Sequence, residues 1–597
     1  MTTDDADAAS RLDRLNANLS KVDELSRRLA AVLAQQRQIP SALQGPGQDL
    51  FMKAAAAYMA EMIQNPSKII EQQVSYWGKT LKHYAEAQEQ LVKGKLAAPP
   101  DPTGPDRRFS NPLWETHPWF NFIKQQYLMN SEAVENAVQA LDDLVPRDRK
   151  RVEYFARQIL DMMAPTNFLG TNPDALERAV ETDGESLVQG LENLVRDLEA
   201  NQGDLLVTLA DREAFRVGEN LATTPGRVVF RNRMLELIQY APTTEKVHKT
   251  PLIIFPPWIN KFYILDLKPK NSLIKWIVDQ GYTLFVVSWV NPGTCYADVG
   301  MDEYVQEGYL AAFDAVKEAT GEKKLNAVGY CIAGTTLALV MALLDKRRKN
   351  PVKSATFFTT LTDFSDQGEV GVFLTDDFVD GIEREVKENG ILRSFYMSRT
   401  FSFLRSNDLI YQPAIRSYMM GEAPPAFDLL YWNGDSTNLP AKMAMEYLRG
   451  LCQQDAFARD GFDICGERVR ISDVKLPVCA VACETDHIAA WKSIFNGIKQ
   501  FGSPDKSFIL AQSGHIAGIV NPPSKNKYGH YTGGPPAGDP GDWLQAANFH
   551  QGSWWPAWQD WLKPRSGALV KARVPGDSGG GILAPAPGTY VTAQPGT

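Results

Sequence analysis

The pattern of hydrophobic and polar residues divides this chain into two parts. Up to about residue 200, apolar residues recur at helical spacing, and beyond it short apolar runs alternate with amphipathic segments. The strands expected in the second part are Pro251–Phe255, Thr283–Ser288, Leu325–Tyr330, Ala355–Leu361, Val478–Ala482 and Ser507–Ala511. Strands that alternate with helices are typical of a mainly parallel sheet, so an α/β fold is predicted for this part.

The first part is expected to be an all-helical domain over residues 1–205, because Asn201-Gln202-Gly203 breaks the helical spacing. Residues 1–48 are polar with scattered leucines, and we expect a frayed helix or a mobile segment there. One apolar helical face is expected within residues 50–96. Its spacing leaves open whether it packs on its own domain or meets a partner or an apolar surface. Residues 97–105, rich in proline, are expected to form a linker.

The second part, residues 206–597, is expected to carry an insertion and an irregular tail. Its helices are expected at Ser272–Gln280, Asp302–Thr320 and Ile488–Phe501, each followed by a glycine. Residues 363–452 interrupt the alternation and are rich in aromatic residues, so we interpret them as an insertion that caps the sheet. The tail from about residue 575 is rich in proline and glycine and is expected to be extended.

The tail contains Gly576-Asp577-Ser578-Gly579-Gly580, which matches the nucleophile signature of serine proteases. We discount this match because the tail is of low complexity and has no strand beside the motif.

Composition excludes several classes of protein for these 597 residues. The formal net charge of −9 argues against general nucleic-acid binding. Six cysteines in so long a chain do not suggest a disulfide framework and are expected in a reducing cytoplasm. The acidic, polar start does not resemble a signal peptide, and no apolar run is long enough to predict a transmembrane segment.

The strongest chemical signal is Gly329-Tyr330-Cys331-Ile332-Ala333-Gly334, between a predicted strand and an apolar helix that ends in a basic cluster. The nucleophile of α/β-hydrolases lies at such a strand-to-helix turn, in the sequence G-x-S-x-G. Cys331 would therefore be a thiol nucleophile, with Ala333 where the simple pattern has its second glycine. The alternative is that Cys331 is an inert core residue, as free cysteines often are.

Two further predicted strands end close to reactive residues. Asp486 follows Val478–Ala482, and His515 follows Ser507–Ala511. The order nucleophile, acid, histidine is that of the α/β-hydrolases. The alternatives for Asp486 are a surface salt bridge or a helix cap. His487 is an alternative base, but we prefer His515 because the acid and the base should come from different loops.

The oxyanion of an acyl-transfer reaction is expected to be bound by two backbone N–H groups, those of Ile332 and of Ile259 in the Trp258–Ile259 loop. No metal site is predicted, because Cys479 and Cys483 lack a second pair of ligands. The other histidines are interpreted as structural or surface residues, and they are His83, His117, His248, His530 and His550.

The chain resembles the class I poly(3-hydroxyalkanoate) synthases from about Asp106 almost to its C-terminus. The segments that carry the resemblance are Gly329-Tyr330-Cys331-Ile332-Ala333-Gly334-Thr335, Pro256-Pro257-Trp258-Ile259-Asn260-Lys261-Phe262-Tyr263-Ile264-Leu265-Asp266-Leu267, Phe427-Asp428-Leu429-Leu430-Tyr431-Trp432-Asn433, Gly514-His515-Ile516-Ala517-Gly518 and Gly552-Ser553-Trp554-Trp555-Pro556. The family usually has glycine where this chain has Ala333.

The resemblance implies an α/β-hydrolase fold with a cap and an acyltransferase that polymerises (R)-3-hydroxyacyl-CoA with release of CoA. It implies Cys331 as nucleophile, His515 as base and Asp486 as acid, with Asp486 either orienting His515 or helping to deprotonate the substrate hydroxyl. It implies no cofactor, since CoA is part of the substrate. It also implies a homodimer that associates with polyester granules in the cytoplasm.

Two other functions remain open at this level. A thioesterase, hydrolase or depolymerase on the same fold would use water as the acyl acceptor, so its product would be a free acid. A non-catalytic granule-coat protein would bind polymer through the N-terminal helices, but it would have no need of Cys331, Asp486 and His515.

Overall fold

The computed structural model describes residues 3–34, 52–57, 59–60, 71–72, 74–82, 106–141, 144–577 and 581–593. The chain forms two compact units, the first of Met1–Asp211 with Arg405–Pro425 and the second of Arg212–Leu404 with Ala426–Thr597. Part of the expected insertion thus belongs to the first unit. The expected linker at 97–105, most of the apolar face at 50–96 and the residues Ser578-Gly579-Gly580 lie outside the described residues.

The regular secondary structure in the described residues of the first unit is helical, without a β-strand, as predicted for the N-terminal region. Its α-helices are Thr3–Leu33, Leu113–Thr116, Pro118–Gln139, Pro146–Met162, Pro173–Glu181, Glu185–Ala200 and Gln412–Ala414, the last flanked by π-helical Asn407–Tyr411 and Ile415–Met419. Residues 52–57 and 74–82 are also helical.

Segment 405–425 packs on the helix Glu185–Ala200. A Cβ added to Gly190 would lie 2.1 Å from the Tyr418 carbonyl oxygen, so only glycine allows this approach. The Tyr418 hydroxyl donates to Asp197 Oδ2 at 2.8 Å, and Asn193 Nδ2 donates to the Ser417 carbonyl at 3.0 Å. These hydrogen bonds fix how segment 405–425 is aligned along the helix Glu185–Ala200.

The second unit is built on an eleven-stranded sheet. Its strands in chain order are β1 Gly226–Arg231, β2 Leu235–Tyr240, β3 Leu252–Phe255, β4 Leu284–Trp289, β5 Leu325–Tyr330, β6 Val352–Phe358, β7 Val478–Cys483, β8 Lys506–Ala511, β9 His530–Thr532, β10 Asn548–His550 and β11 Ala584–Pro585. The spatial order is β10-β9-β8-β7-β6-β5-β3-β4-β2-β1-β11. The six strands from β8 to β4 run parallel, and the outer ones pair antiparallel.

The helices of this unit include a long one over residues 301–320 whose middle, Tyr304–Leu310, is π-helical. The other α-helices are Leu273–Asp279, Ile332–Lys346, Asp376–Asn389, Ser394–Leu404, Asp428–Asn433, Ala441–Met445, Trp491–Gln500, Pro540–Ala546 and Trp555–Leu562. Three two-stranded ribbons are formed by Lys246–His248 with Leu569–Lys571, Ile391–Leu392 with Leu439–Pro440, and Phe462–Ile464 with Glu467–Val469.

The central strands confirm the α/β prediction. Every residue of β3, β4, β5 and β7 is buried, which explains why these strands are mostly apolar in sequence, with Ser288 in β4 and Asn326 in β5 as polar exceptions. The predicted strand Ala355–Leu361 is displaced, since β6 ends at Phe358 and Thr359-Thr360-Leu361 is a loop. The helix predicted to begin at Ile488 begins at Trp491.

The C-terminal tail returns to the edge of the sheet through β11, which pairs with β1. The fully buried carboxylate of Glu236 on β2 accepts from the backbone N–H groups of Thr589 and Tyr590 at 2.8 and 2.9 Å. The Lys261 ammonium donates to the Val591 carbonyl at 2.5 Å. The tail is therefore tied to the sheet by charge-assisted hydrogen bonds.

No helix that could span a membrane is found in the described part of the chain. None of its helices combines the length and the apolar character needed to cross a bilayer.

Replacing Glu236 by Gln should loosen the tail. The amide keeps one acceptor but loses the charge, which should weaken the attachment by about 1–3 kcal/mol and speed cleavage of the tail by about tenfold or more. Limited proteolysis followed by mass spectrometry measures the loss of C-terminal residues. The exposed Glu245→Gln is the matched control, and equal cleavage of both variants would contradict this account.

Candidate active site

Cys331 lies at a strained turn between β5 and the helix Ile332–Lys346. Its backbone has φ +54° and ψ −128°, a conformation that a residue with a side chain rarely adopts. The Cys331 N–H donates to the Phe358 carbonyl at the end of β6, at 2.8 Å. A partly exposed thiol at such a turn has the geometry of a nucleophile elbow.

Two glycines allow this turn to form. A Cβ added to Gly329 would lie 2.5 Å from Gly334 Cα, and one added to Gly334 would lie 2.0 Å from Thr360 Oγ1. Ala333 carries a Cβ at a fully buried position. The close approach of strand and helix is therefore made at Gly334, which explains how the chain accommodates alanine at 333.

His515 and Asp486, 29 residues apart in sequence, form a direct pair. His515 Nδ1 lies 2.7 Å from Asp486 Oδ2, and Asp486 Oδ1 accepts from the N–H groups of Ile488 and Ala489 at 2.8 and 2.9 Å. The Asp486 side chain is fully buried. Asp486 thus pairs with His515 rather than His487, and it also caps the turn that follows it.

The pKa of His515 reflects these neighbours. Burial by itself would lower this pKa, but the Asp486 carboxylate and the Cys331 thiol outweigh burial, in part through hydrogen bonds, and raise it to about 10. The imidazolium form is therefore favoured next to Cys331 and Asp486.

The turn that carries His515 is anchored by residues that sequence reasoning did not assign to the site. The indole N–H groups of Trp554 and Trp555 donate to the Gly518 and Ile519 carbonyls at 2.8 and 2.9 Å. The Tyr330 ring stacks on the imidazole with centroids 6.0 Å apart. The sequence feature that could have identified them is the adjacent pair Trp554-Trp555, because a buried indole N–H needs a hydrogen-bond acceptor.

The two expected oxyanion donors lie on opposite sides of Cys331 in sequence but border the same cavity. Ile332 begins the helix, and the first N–H groups of a helix have no acceptor within it. On the other loop, Thr437 Oγ1 donates to the Trp258 carbonyl at 2.8 Å. Because C=O and N–H of a trans peptide point in opposite directions, the Ile259 N–H points away from Thr437.

A mainly apolar cavity of about 880 Å³, partly open to solvent, lies over Cys331. Most of its lining comes from residues 364–401 and 447–452 of the expected insertion, and Cys331, Ile332 and Ile259 border it, whereas His515 and Asp486 do not. The other residues that line it are Thr335, Thr359, Leu361, Phe364, Gln367, Val370, Phe373, Leu374, Phe378, Ile382, Tyr396, Met397, Thr400, Phe401, Tyr447, Leu448, Cys452, Ile488 and Ala489.

Metal-binding clusters are not found in the described residues, where no three His, Cys, Asp or Glu side chains are grouped to hold an ion.

Comparison with known proteins gives matches along most of the chain. Residues 105–277 match the family model described as poly-beta-hydroxybutyrate polymerase (PhaC) N-terminus, and residues 251–522 match the alpha/beta hydrolase fold. The poly(3-hydroxyalkanoate) polymerase of Methylorubrum extorquens is 41% identical, covering 98% of both chains. The polymerase subunits PhaC of Rhizobium etli and Cupriavidus necator are 40% and 37% identical, covering 89% and 86% of this chain and 86% and 87% of their own.

The chain belongs to the poly(3-hydroxyalkanoate) polymerase family. It is therefore an enzyme, a synthase of the acyltransferase type, and its second unit has the α/β-hydrolase fold. The family resemblance seen in the sequence and the predicted fold class are confirmed.

The pKa of His515 predicts how stability depends on pH. Because this pKa is raised from its ordinary 6.5 to about 10, the stabilisation by protonated His515 is complete below about pH 6.5 and is lost as pH rises through 10. Asp486→Asn removes the main group that raises the pKa. Its melting temperature should therefore fall less than that of the unaltered enzyme between pH 6.5 and 10, and parallel curves for both proteins would contradict the pairing.

Proposed function

We propose that the enzyme polymerises (R)-3-hydroxyacyl-CoA into a polyester, with release of CoA, through an acyl thioester on Cys331. The observation that carries this proposal is the combination of a partly exposed thiol at the elbow, an apolar cavity above it and the 2.7 Å His515–Asp486 pair beside it. The names of the relatives at 37–41% identity supply the polyester as product.

The first step is acyl transfer to the enzyme. In the reactive form the proton of the Cys331 thiol resides on His515, and the thiolate attacks the carbonyl carbon of the substrate thioester. The tetrahedral oxyanion accepts hydrogen bonds from the N–H groups of Ile332 and Ile259. As the intermediate collapses, the bond to the sulfur of CoA breaks, and that sulfur takes the proton from His515.

A sulfur nucleophile suits polymerisation better than an oxygen nucleophile would. Exchange of one thioester for another leaves the acyl group activated, so little free energy is lost before the polymer bond forms. An ester on serine would dissipate that activation. The hydroxyl of the next acyl unit can then attack the Cys331 thioester with a favourable driving force.

The second step is ester formation. His515 takes the proton of a 3-hydroxyl group, whose oxygen attacks the carbonyl carbon held on Cys331. The carbon–sulfur bond breaks, the ester bond forms and the Cys331 thiolate recovers the proton from His515. Water is the competing acceptor, and the apolar lining supplied by residues 364–401 would keep its local concentration low.

Asp486 is assigned the role of orienting His515 rather than that of activating the substrate hydroxyl. Its side chain is fully buried, Oδ2 faces His515 and Oδ1 is occupied by two backbone N–H groups. Neither oxygen is left for a substrate, and Asp486 does not line the cavity. Both chemical steps would therefore depend on it in the same way, through His515.

Assembly into a homodimer and association with granules of the polyester product in the cytoplasm remain predictions from the family resemblance.

Cys331→Ala should abolish both CoA release and covalent labelling by radioactive 3-hydroxyacyl-CoA, because no nucleophile remains. The matched control is Cys295→Ala, which removes an exposed thiol and should keep both activities. Labelling, CoA release and product are measured on the purified chain. Retained labelling in Cys331→Ala would overturn the proposal, and free acid in place of polymer from the unaltered enzyme would assign it to the hydrolases.

Asp486→Asn should slow acylation and elongation by a similar factor, on the order of a hundredfold or more, because His515 would lose its orienting partner. Single-turnover CoA release reports acylation, and polymer formation from acylated enzyme reports elongation. Slowing of elongation alone would mean that Asp486 acts on the substrate hydroxyl instead.

A further inference from the structure

Thr359 lies directly beside the elbow and has no role in the mechanism above. The preceding residue, Phe358, pairs with Tyr330 across β5 and β6, and its carbonyl accepts from the Cys331 N–H at 2.8 Å. Thr359 itself donates its N–H to the Val481 carbonyl at 2.7 Å. Since neighbouring strands lie about 4.8 Å apart, Thr359 is one strand spacing from Cys331 and borders the same cavity.

The Thr359 side chain is fully buried, and its hydroxyl has no hydrogen-bond partner among the described residues. Buried polar groups without a partner are rare and costly, so each one calls for an explanation. The adjacent Thr360 shows the usual arrangement, because its Oγ1 donates to the Phe358 carbonyl at 2.9 Å. Thr359 is therefore an exception within its own loop.

The other polar side chains that line the cavity are occupied by the protein. Thr335 Oγ1, Thr400 Oγ1 and Gln367 Nε2 donate to the backbone carbonyls of Leu361, Tyr396 and Cys452. The hydroxyl of Tyr396 accepts from Arg393 Nη2 at 3.1 Å. Among the threonines of this lining, Thr359 alone has a hydroxyl without a hydrogen-bond partner among the described residues.

The backbone of Thr359 is unusual as well, with φ at +40°. A β-branched residue rarely adopts a positive φ, and glycine or asparagine would fit this turn with less strain. Valine would fill the same space without an unpaired hydroxyl. Thr359 is thus a strained threonine whose hydroxyl has no partner among the described residues.

We propose that the Thr359 hydroxyl forms a hydrogen bond with the 3-hydroxyl group of the acyl unit bound as a thioester to Cys331. This inference rests on the proposed function, because it needs an acyl group on Cys331. The hydroxyl of such a unit lies two carbons from the thioester carbonyl and needs a polar partner inside an apolar cavity. Thr359 would therefore select 3-hydroxyacyl groups over acyl groups without the hydroxyl.

The test compares (R)-3-hydroxybutyryl-CoA with butyryl-CoA, which lacks the hydroxyl. Single-turnover acylation of Cys331 is followed by CoA release for each substrate. The unaltered enzyme should favour the hydroxylated substrate, and Thr359→Val should lower that preference by about fivefold to tenfold, the value of one hydrogen bond. Thr359→Ser, which keeps the hydroxyl, should retain the preference.

Thr362→Val is the matched control. Thr362 also has a buried hydroxyl without a partner among the described residues, but it does not line the cavity, so its replacement should leave the preference unchanged. If Thr359→Val does not fold, Thr359→Ala is compared with Thr359→Ser instead. The preference should then fall with alanine and persist with serine.

The possible failures are distinguishable. An unaltered enzyme that forms no acyl-Cys331 from either substrate would sink the proposed function. Acylation at Cys331 with no preference for the hydroxylated substrate, or a preference that survives in Thr359→Val, would overturn only the role of Thr359. A preference lowered equally by Thr362→Val would show a general effect of the loop and would overturn it too.

Discussion

The close approach of β5 and the helix Ile332–Lys346 is the constraint on which the site depends. It is possible because Gly329 and Gly334 leave no room for side chains where the two elements meet. This contact holds Cys331 at φ +54°, a conformation that the turn alone would not maintain. The same contact places the first N–H groups of the helix beside the thiol, so the proposed nucleophile and one proposed oxyanion donor share a single structural cause.

The buried Asp486 carboxylate determines the arrangement of the residues around it. A buried charge is tolerated only when it is paired and hydrogen-bonded, and His515 with two backbone N–H groups meets that need. The position of His515 is in turn maintained by the indoles of Trp554 and Trp555. Asp486, His515 and the helix that begins at Trp555 thus form one connected set of contacts around the ends of β7 and β8.

The sequence predicted the centre of the fold better than its edges, for a physical reason. The strands β3 and β7 are buried on both faces and are uninterrupted apolar runs, whereas the equally buried β2 contains Glu236 and Gln239 and so breaks the pattern. The pairing of Asp486 with His515 could be predicted because both residues follow the carboxyl ends of predicted strands. The exceptional position of Thr359 did not, because only coordinates reveal a positive φ and an unpaired hydroxyl.

An apolar cavity imposes opposing requirements on a polymerising enzyme. Its lining disfavours water, which would end the chain as an acid, but it equally disfavours the carbonyl and hydroxyl groups that every acyl unit carries. The reacting unit therefore needs polar partners next to the thiol. The proposed donors at Ile332 and Ile259 would meet that need for the carbonyl oxygen, and the proposed contact with Thr359 would meet it for the hydroxyl. Polar groups confined to the neighbourhood of Cys331 reconcile exclusion of water with binding of a polar substrate.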